Sequence, residues 1–258
     1  MLQTIGPRVR KSRSRYNRPM PTLVVLPTYN EILNVEPMLR TLRKVVPQCD
    51  VLVVDDGSPD GTAKLAEEVS DDVGQITVLR RAKKSGLGGA YRAGFAWGLD
   101  RGYDHFVEID CDFSHDPNAL PMLLSAAEDH DVVIGSRYIP GGHIPQWSFS
   151  RRMLSRGGNQ YASIMLGLGV ADSTAGYRVY SQRGLELIDF PSVSADGYGF
   201  QIEMTYRARR AGASIIEVPI SFTDRELGES KMSRAIVVEA LWLVTKWAIE
   251  RPFGRGAH

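Results

Sequence analysis

Five short apolar runs, each closing in a polar turn and each followed by a helical pattern or turn, constrain this chain more than any other feature. They are TLVVLP (22–27), DVLVVDD (50–56), ITVL (76–79), HFVEID (105–110) and DVVIGS (131–136). Their length and β-branched content predict strands buried on both faces. Helical patterns lie between them. EILNVEPMLRTLRKVV (31–46) sets Ile32, Val35, Met38, Leu39 and Leu42 at helical spacing, and TAKLAEEV, LGGAYRAGFAWGLDRG and PNALPMLLSAAED follow in turn. Strand and helix alternate, so the expected class is α/β, with a mostly parallel central sheet covered by helices on both faces.

Further along, DSTAGYRVYS (172–181) reads as a turn entering a strand, and 194–212 contains a helix. Residues 213–231 give a strand and then a charged loop, and a helix over 232–250 closes the ordered part. A length of 258 residues suits one large domain, here 21–231.

Ligands of such sheets collect beyond the C-terminal ends of the strands. The first strand ends in PTYNE, the second in DDGSPDGT, the third runs into RRAKKSGLGG, the fourth into DCDFS and the fifth into GSRY. Five polar turns therefore share one rim. In DCDFS, Asp110 and Asp112 can point to one side of an extended turn with Cys111 opposite. Two carboxylates, water and substrate phosphates are what Mg²⁺ or Mn²⁺ usually takes. Cys111 is expected as a small buried spacer, and Asp116, just before Pro117, as a helix cap. The adjacent Asp55 and Asp56 exceed what a turn needs; one can accept from a base or ribose while the other braces the loop. Asp60 or Ser58 is the expected cap of the following helix. Tyr29 can pack on a base and Glu31 can accept from a ribose or base, while Asn30 would cap the first helix.

KKSGLGGAYRAG (83–94) is glycine-rich but fails the dinucleotide pattern, because Tyr91 stands where a third glycine belongs. It can still cover phosphates through Lys83, Lys84 and backbone N–H groups. Arg137 of GSRY, with Arg225 and Lys231 of DRELGESK, supplies cations suited to a diphosphate or an acceptor phosphate.

The net charge of +1 excludes a globally acidic or basic protein. Six basic residues nevertheless fall within 8–18, and the first acid is Glu31. The segment 1–20 is expected to be a disordered basic arm that meets an anionic membrane, at about 1 kcal/mol per basic residue near the surface. No nucleic-acid partner is expected. The two cysteines, Cys49 and Cys111, form no CxxC pattern, so a reducing compartment is expected. The N-terminus has no apolar leader pattern, and no apolar run approaches the ~20 residues that span a bilayer.

With these residues assembled, the chain resembles the dolichol- and polyprenol-phosphate mannose synthases, inverting members of glycosyltransferase family two with a GT-A fold. The resemblance rests on LPTYNE, VVDDGSPDGT, KSGLGGAY, DCDFSHDP, GSRY, TAGYRVY, GYGFQIEM and VPISFTDRELGESKM, in family order from about Thr22 to Lys231. It implies transfer of mannose from GDP-mannose to a polyprenyl phosphate. It divides the domain into a nucleotide half, 21–112, and an acceptor half, 113–231. Pro27, Tyr29, Glu31, Val54 and Asp56 would hold guanosine. Asp110 and Asp112 would bind the metal, Mg²⁺ or Mn²⁺, with the Cys111 backbone nearby, and Arg137, Arg225 and Lys231 would face the phosphates. Cys111 stands where alanine is frequent. Ser114 stands where some members carry a metal-binding glutamine, which leaves Ser114 or water as the third ligand.

A prenyl-tailed acceptor must be met at a membrane. In SRAIVVEALWLVTKWAIE, Glu239, Lys246 and Glu250 form one polar stripe and the remaining circumference, with Trp242 and Trp247, is apolar. Such a helix suits the membrane interface or packing on the domain. NQYASIMLGLGV (159–170) carries the same two readings. The expected location is the cytoplasmic face of a membrane, with a membrane-spanning partner as an option. Two alternatives are a related transferase using UDP-glucose and a phosphatase of the haloacid dehalogenase type. The first has no Gln-x-x-Arg-Trp motif to make it a processive polysaccharide synthase. The second needs its Asp-x-Asp loop after the first strand, whereas three strands precede DCDFS.

Overall fold

The computed structural model describes residues 20–84, 86–224 and 234–250, with backbone alone at 234–238. The basic arm, Arg225, Lys231 and the C-terminal GRGAH lie outside the described residues.

The strands are β1 (Thr22–Thr28), β2 (Asp50–Asp55), β3 (Ile76–Arg80), β4 (His105–Glu108), β5 (Val132–Ser136), β6 (Arg178–Ser181) and β7 (Ile215–Pro219). The helices are α1 (Val35–Val45), α2 (Thr62–Val73), α3 (Gly86–Leu99), α4 (Leu120–Ala127), α5 (Phe149–Leu166), α6 (Gln182–Ile188), α7 (Gly197–Arg210) and α8 (Arg234–Glu250). One seven-stranded sheet runs in the order β3-β2-β1-β4-β6-β5-β7. Of the described strands, only β6 is antiparallel to its neighbours, β4 and β5. The C-terminal ends of the other six strands therefore share one edge.

Alternation along β1 divides the core. Leu23 and Val25 join one buried cluster with Tyr91 and Phe95 of α3 and Phe200 of α7. Val24 and Leu26 join the other, with Met38 and Leu39 of α1 and Leu120 of α4. Gly94 explains how closely α3 lies on the sheet: a Cβ there would stand 2.4 Å from a Val25 methyl.

Two features of the α1 start differ from expectation. Ile32 shares the helical spacing, yet α1 begins at Val35. The chain before it is tied to the start of α2, since Glu31 N donates to Thr62 Oγ1 and Ile32 N to Asp60 Oδ2. Asn30 does not cap α1, because its backbone is left-handed, with φ of 57°, and Asn34 holds the cap position. At α2 it is Asp60, not Ser58, that takes the Thr62 amide and hydroxyl. Asp116 does cap the turn Pro117–Ala119, accepting from Asn118 N at 2.9 Å.

Candidate active site

The rim is assembled from the loops after β1, β2, β3, β4 and β5. Pro27 and Val54 are opposite each other in the β1–β2 register. Of the two adjacent aspartates, Asp55 is the brace. It accepts from Gly57 N, Ser58 N, Ser58 Oγ and Thr28 Oγ1. Asp56 stands on the rim side and pairs with Arg81 at 2.6 Å. Tyr29 is half-buried, and Lys84 Nζ lies 4.2 Å above its ring. Glu31 is buried and accepts from Asn34 Nδ2 at 2.8 Å. Arg81 and Lys84 thus tie the loop after β3 to the ends of β2 and β1; neither contact was foreseen.

The glycine-rich stretch forms the N-terminus of α3. Its Gly88 N–H does not await a phosphate: it donates to Asp196 Oδ1 at 2.8 Å, from the residue just before α7. Gly86 has φ of +76°, and a Cβ there would fall 1.5 Å from Asp196 Oδ2. A carboxylate of the chain itself thus occupies this helix end, where an anion is favoured.

The DCDFS turn follows the fourth strand, as the sequence indicates. Cys111 is buried in the cluster beneath the sheet. Asp110 is one-third exposed: Tyr91 Oη is 3.5 Å from its Oδ1, and His115 Nδ1 is 3.7 Å from its Oδ2. Asp112 accepts from Ser114 N at 3.0 Å. Ser114 acts on Asp112 through its backbone, and its carbonyl takes the Thr223 amide. Among the described residues, no three His, Cys, Asp or Glu side chains converge into a closed metal cage. A pair of carboxylates at a rim fits an open site instead, one whose remaining positions go to substrate oxygens and water.

Beneath this turn lies a buried polar layer that the sequence did not disclose. Glu108 is fully buried and accepts from Gln201 Nε2 at 2.9 Å. Burial pushes its carboxyl up to about 7, against the pull of Arg178. Arg178, also fully buried, donates to the carbonyls of Ala175, Ser173 and Gln201 and to Thr205 Oγ1. His115 is pushed down to about 4 by burial, with Asp112 opposing, and so is neutral at neutral pH. The motifs TAGYRVY and GYGFQIEM hold only a hint of it, in Arg178 and Gln201 set among apolar residues.

Arg137 directly follows β5 and is buried. Its Nε and Nη2 each stand 2.7 Å from an oxygen of Asp172, whose Oδ2 also takes the Arg137 amide. Nη2 further donates to Thr174 Oγ1, which also accepts a hydrogen bond from Asn159 Nδ2. Burial alone would lift the Asp172 carboxyl, but Arg137 holds it below the usual range. Thr174 and Asn159 border a cavity of about 130 Å³ between α5, α7 and α8, lined also by Trp147, Leu154, Tyr198, Ile202, Leu241 and Val244. Arg151 stacks on Trp147 at 3.9 Å, and both donate to Asp224. A larger hollow of about 440 Å³, beside Tyr206, Arg210 and Trp247, lies at the other end of α7 from Asp196.

The arrangement combines a carboxylate pair on a polar rim with a buried guanidinium beside an apolar cavity. Comparison with known proteins identifies the family and the fold. The pattern of glycosyl transferase family 2 matches residues 23–188. An undecaprenyl-phosphate mannosyltransferase of Micrococcus luteus is 53% identical over 230 residues, covering 89% of this chain and 95% of that one. A polyprenol monophosphomannose synthase of Mycolicibacterium smegmatis is 49% identical, over 88% and 87% of the two chains. Among solved structures, glucosyl-3-phosphoglycerate synthase of Mycobacterium tuberculosis, with Mn²⁺ and UDP, superposes with a TM-score of 0.67 at 20% identity, covering 92% of this chain and 83% of that one. A mannosyltransferase of Pyrobaculum calidifontis with GDP-Man and Mn²⁺ gives 0.60 at 16% identity, over 92% and 65%. These structural likenesses concern the fold.

Proposed function

The chain belongs to glycosyl transferase family 2 and is a glycosyltransferase of the GT-A fold, and from that premise we propose that it transfers mannose from GDP-mannose to a polyprenyl phosphate. One observation carries the reading of the acceptor. The Arg137 guanidinium, fixed by Asp172, adjoins through Thr174 an apolar cavity between three helices. A cation beside an apolar slot suits a phosphate with a hydrocarbon tail. The relatives whose printed names specify such an acceptor are about half identical over most of the chain.

In this reading Pro27, Tyr29, Glu31, Val54 and Asp56 line the guanosine site, with Lys84 and Arg81 closing over it. Asp110 and Asp112 hold a divalent ion, Mg²⁺ or Mn²⁺, whose chemistry when bound is to offset charge developing on the diphosphate. Arg137 orients the acceptor phosphate, and Arg225 and Lys231, outside the described residues, are assigned to the phosphates as well. A phosphate oxygen of the acceptor attacks the anomeric carbon, the bond from that carbon to the diphosphate oxygen breaks, and GDP leaves with inversion. The attacking oxygen is already anionic at neutral pH, so no side chain need remove a proton. Positioning and preorganised charge supply the catalysis.

The acceptor is met at a membrane surface. No described helix is long and apolar enough to cross one. Helix α5 exposes Phe149, Met153, Leu154 and Ile164 beside Arg152 and Arg156, and α8, packed against it, exposes Leu241, Trp242 and Ile249. Trp247 is not part of this surface, because it stacks on Tyr206. Glu239, Lys246 and Glu250 are exposed. The two helices therefore pack on the domain with one side and meet lipid with the other, on the cytoplasmic face where a nucleotide sugar is available.

Incubation with labelled GDP-mannose, polyprenyl phosphate and Mg²⁺ or Mn²⁺ should place label in the lipid extract, and Asp112→Ala should abolish it. Unlabelled lipid with either metal would sink the proposal.

A further inference from the structure

His115 has no place in the scheme above, yet its imidazole is aimed at the metal-binding turn. The side chain is 4% exposed, and Nδ1 has no hydrogen-bond partner although it lies 3.7 Å from Asp110 Oδ2. The ring is wedged between Tyr177 and Phe222, at centroid distances of 5.3 and 5.2 Å. The backbone is pinned too, because His115 and Phe222 form an isolated antiparallel bridge. Opposite, Gly176 leaves open the point where these groups meet: a Cβ there would stand 3.7 Å from His115 Cε1, 3.8 Å from Asp110 Oδ2 and 3.9 Å from Gln201 Nε2. Tyr91 Oη approaches the other carboxylate oxygen, at 3.5 Å.

We propose that His115 is a positioning residue for Asp110: its Nδ1–H donates to Asp110 Oδ2 and fixes the face that the carboxylate presents to the divalent ion. The inference rests on the reading of Asp110 as a metal ligand. Its physical basis is the polarity of the pair. A bare Nδ1 lone pair turned toward a carboxylate oxygen in a water-excluded pocket would be repelled, whereas a proton on Nδ1 makes the approach attractive. The separation is long for a hydrogen bond, and catalytic contacts of this kind tighten when the ligand arrives. Outer-shell donors of this type set ligand orientation, and their loss typically costs 10–100-fold in metal affinity. The role thus belongs to a residue next to Ser114, the position where some relatives place a metal-binding side chain.

The first test uses the wild-type protein without metal. ¹⁵N chemical shifts of the histidine rings should show His115 protonated on Nδ1 at pH 7; a proton on Nε2 alone overturns the proposal. The second measures Mn²⁺ binding in the presence of GDP by electron paramagnetic resonance. His115→Phe keeps the ring packing and removes the donor, so affinity should fall about 10–100-fold with little change in melting temperature. His115→Asn returns an N–H near the position of Nδ1 and should recover most of the loss. Unchanged affinity in His115→Phe overturns the proposal, as does failure of His115→Asn to recover any of it, which would point to direct ligation by imidazole. A wild-type protein that binds no Mn²⁺ with GDP refutes the metal site itself, a separate failure.

Discussion

Glu108 has no room for its own charge. Its side chain is fully buried at the end of β4, one oxygen is held by Gln201, and the other has no hydrogen-bond partner. The carboxyl titrates at about 7 in the folded protein against a reference of 4.5, with burial as the main cause. Between these values the unfolded chain releases its proton while the folded one keeps it. The contribution to stability is therefore fully present below pH 4.5 and is lost as pH rises through 7, a decline of about 3 kcal/mol at 1.36 kcal/mol per unit. Glu108→Gln should lack that decline. Urea denaturation at pH 4.5 and pH 8 should show the variant gaining on the wild type only at the higher pH; an equal difference at both would refute the assignment. At this scale the sequence was legible where function follows the chain. Asp110, Cys111 and Asp112 alternate at a strand end, and that fixes which of them faces the rim. Glu108, Arg178 and Asp172 were not legible, because each takes its meaning from a residue far along the chain. Gln201 meets Glu108 across 93 positions, and Asp172 meets Arg137 across 35.

The elements were read well from period and poorly from their ends. Strands and helices follow from alternation and 3.6-residue spacing, which are local properties. Starts and stops depend on partners. The position of α1 is set by Thr62 of α2 and by Asp60 just before it, and that is why Ile32 keeps the spacing but not the helix. The start of α3 shows the same dependence with a larger consequence. Its glycines invite a phosphate, yet Asp196 from the segment before α7 takes the Gly88 amide. One carboxylate thereby joins the start of α3 to the start of α7. Asp196→Ala should cost about 1 kcal/mol, the usual value of a lost cap, and should speed hydrogen exchange at the Gly88 amide. Unaltered exchange there would show that the contact does not hold the helix end.

Across the whole molecule, the α5–α8 surface gives the chain a side. Leu154 and Trp242 are 69% and 60% exposed, so charging them should leave folding intact. Leu154→Glu with Trp242→Glu should lower co-sedimentation with anionic vesicles at least about tenfold, since each apolar side chain contributes roughly 1.5–3 kcal/mol when buried, while circular dichroism is unchanged. Undiminished binding would remove these helices from the membrane contact. The sheet order carries a consequence of another kind, one of timing. Strands β1 to β4 complete a contiguous half-sheet by residue 108, but the neighbour of β4 is β6, residues 178–181. On a ribosome adding roughly 5–20 residues per second, β4 waits about 4–14 s for that neighbour. β5, made in the interval, has no strand to pair with until β6 arrives between them. The nascent chain thus holds four paired strands with one raw edge before the remaining three have a sheet to join. Insertion of the single antiparallel strand is the step that turns two fragments into one enzyme.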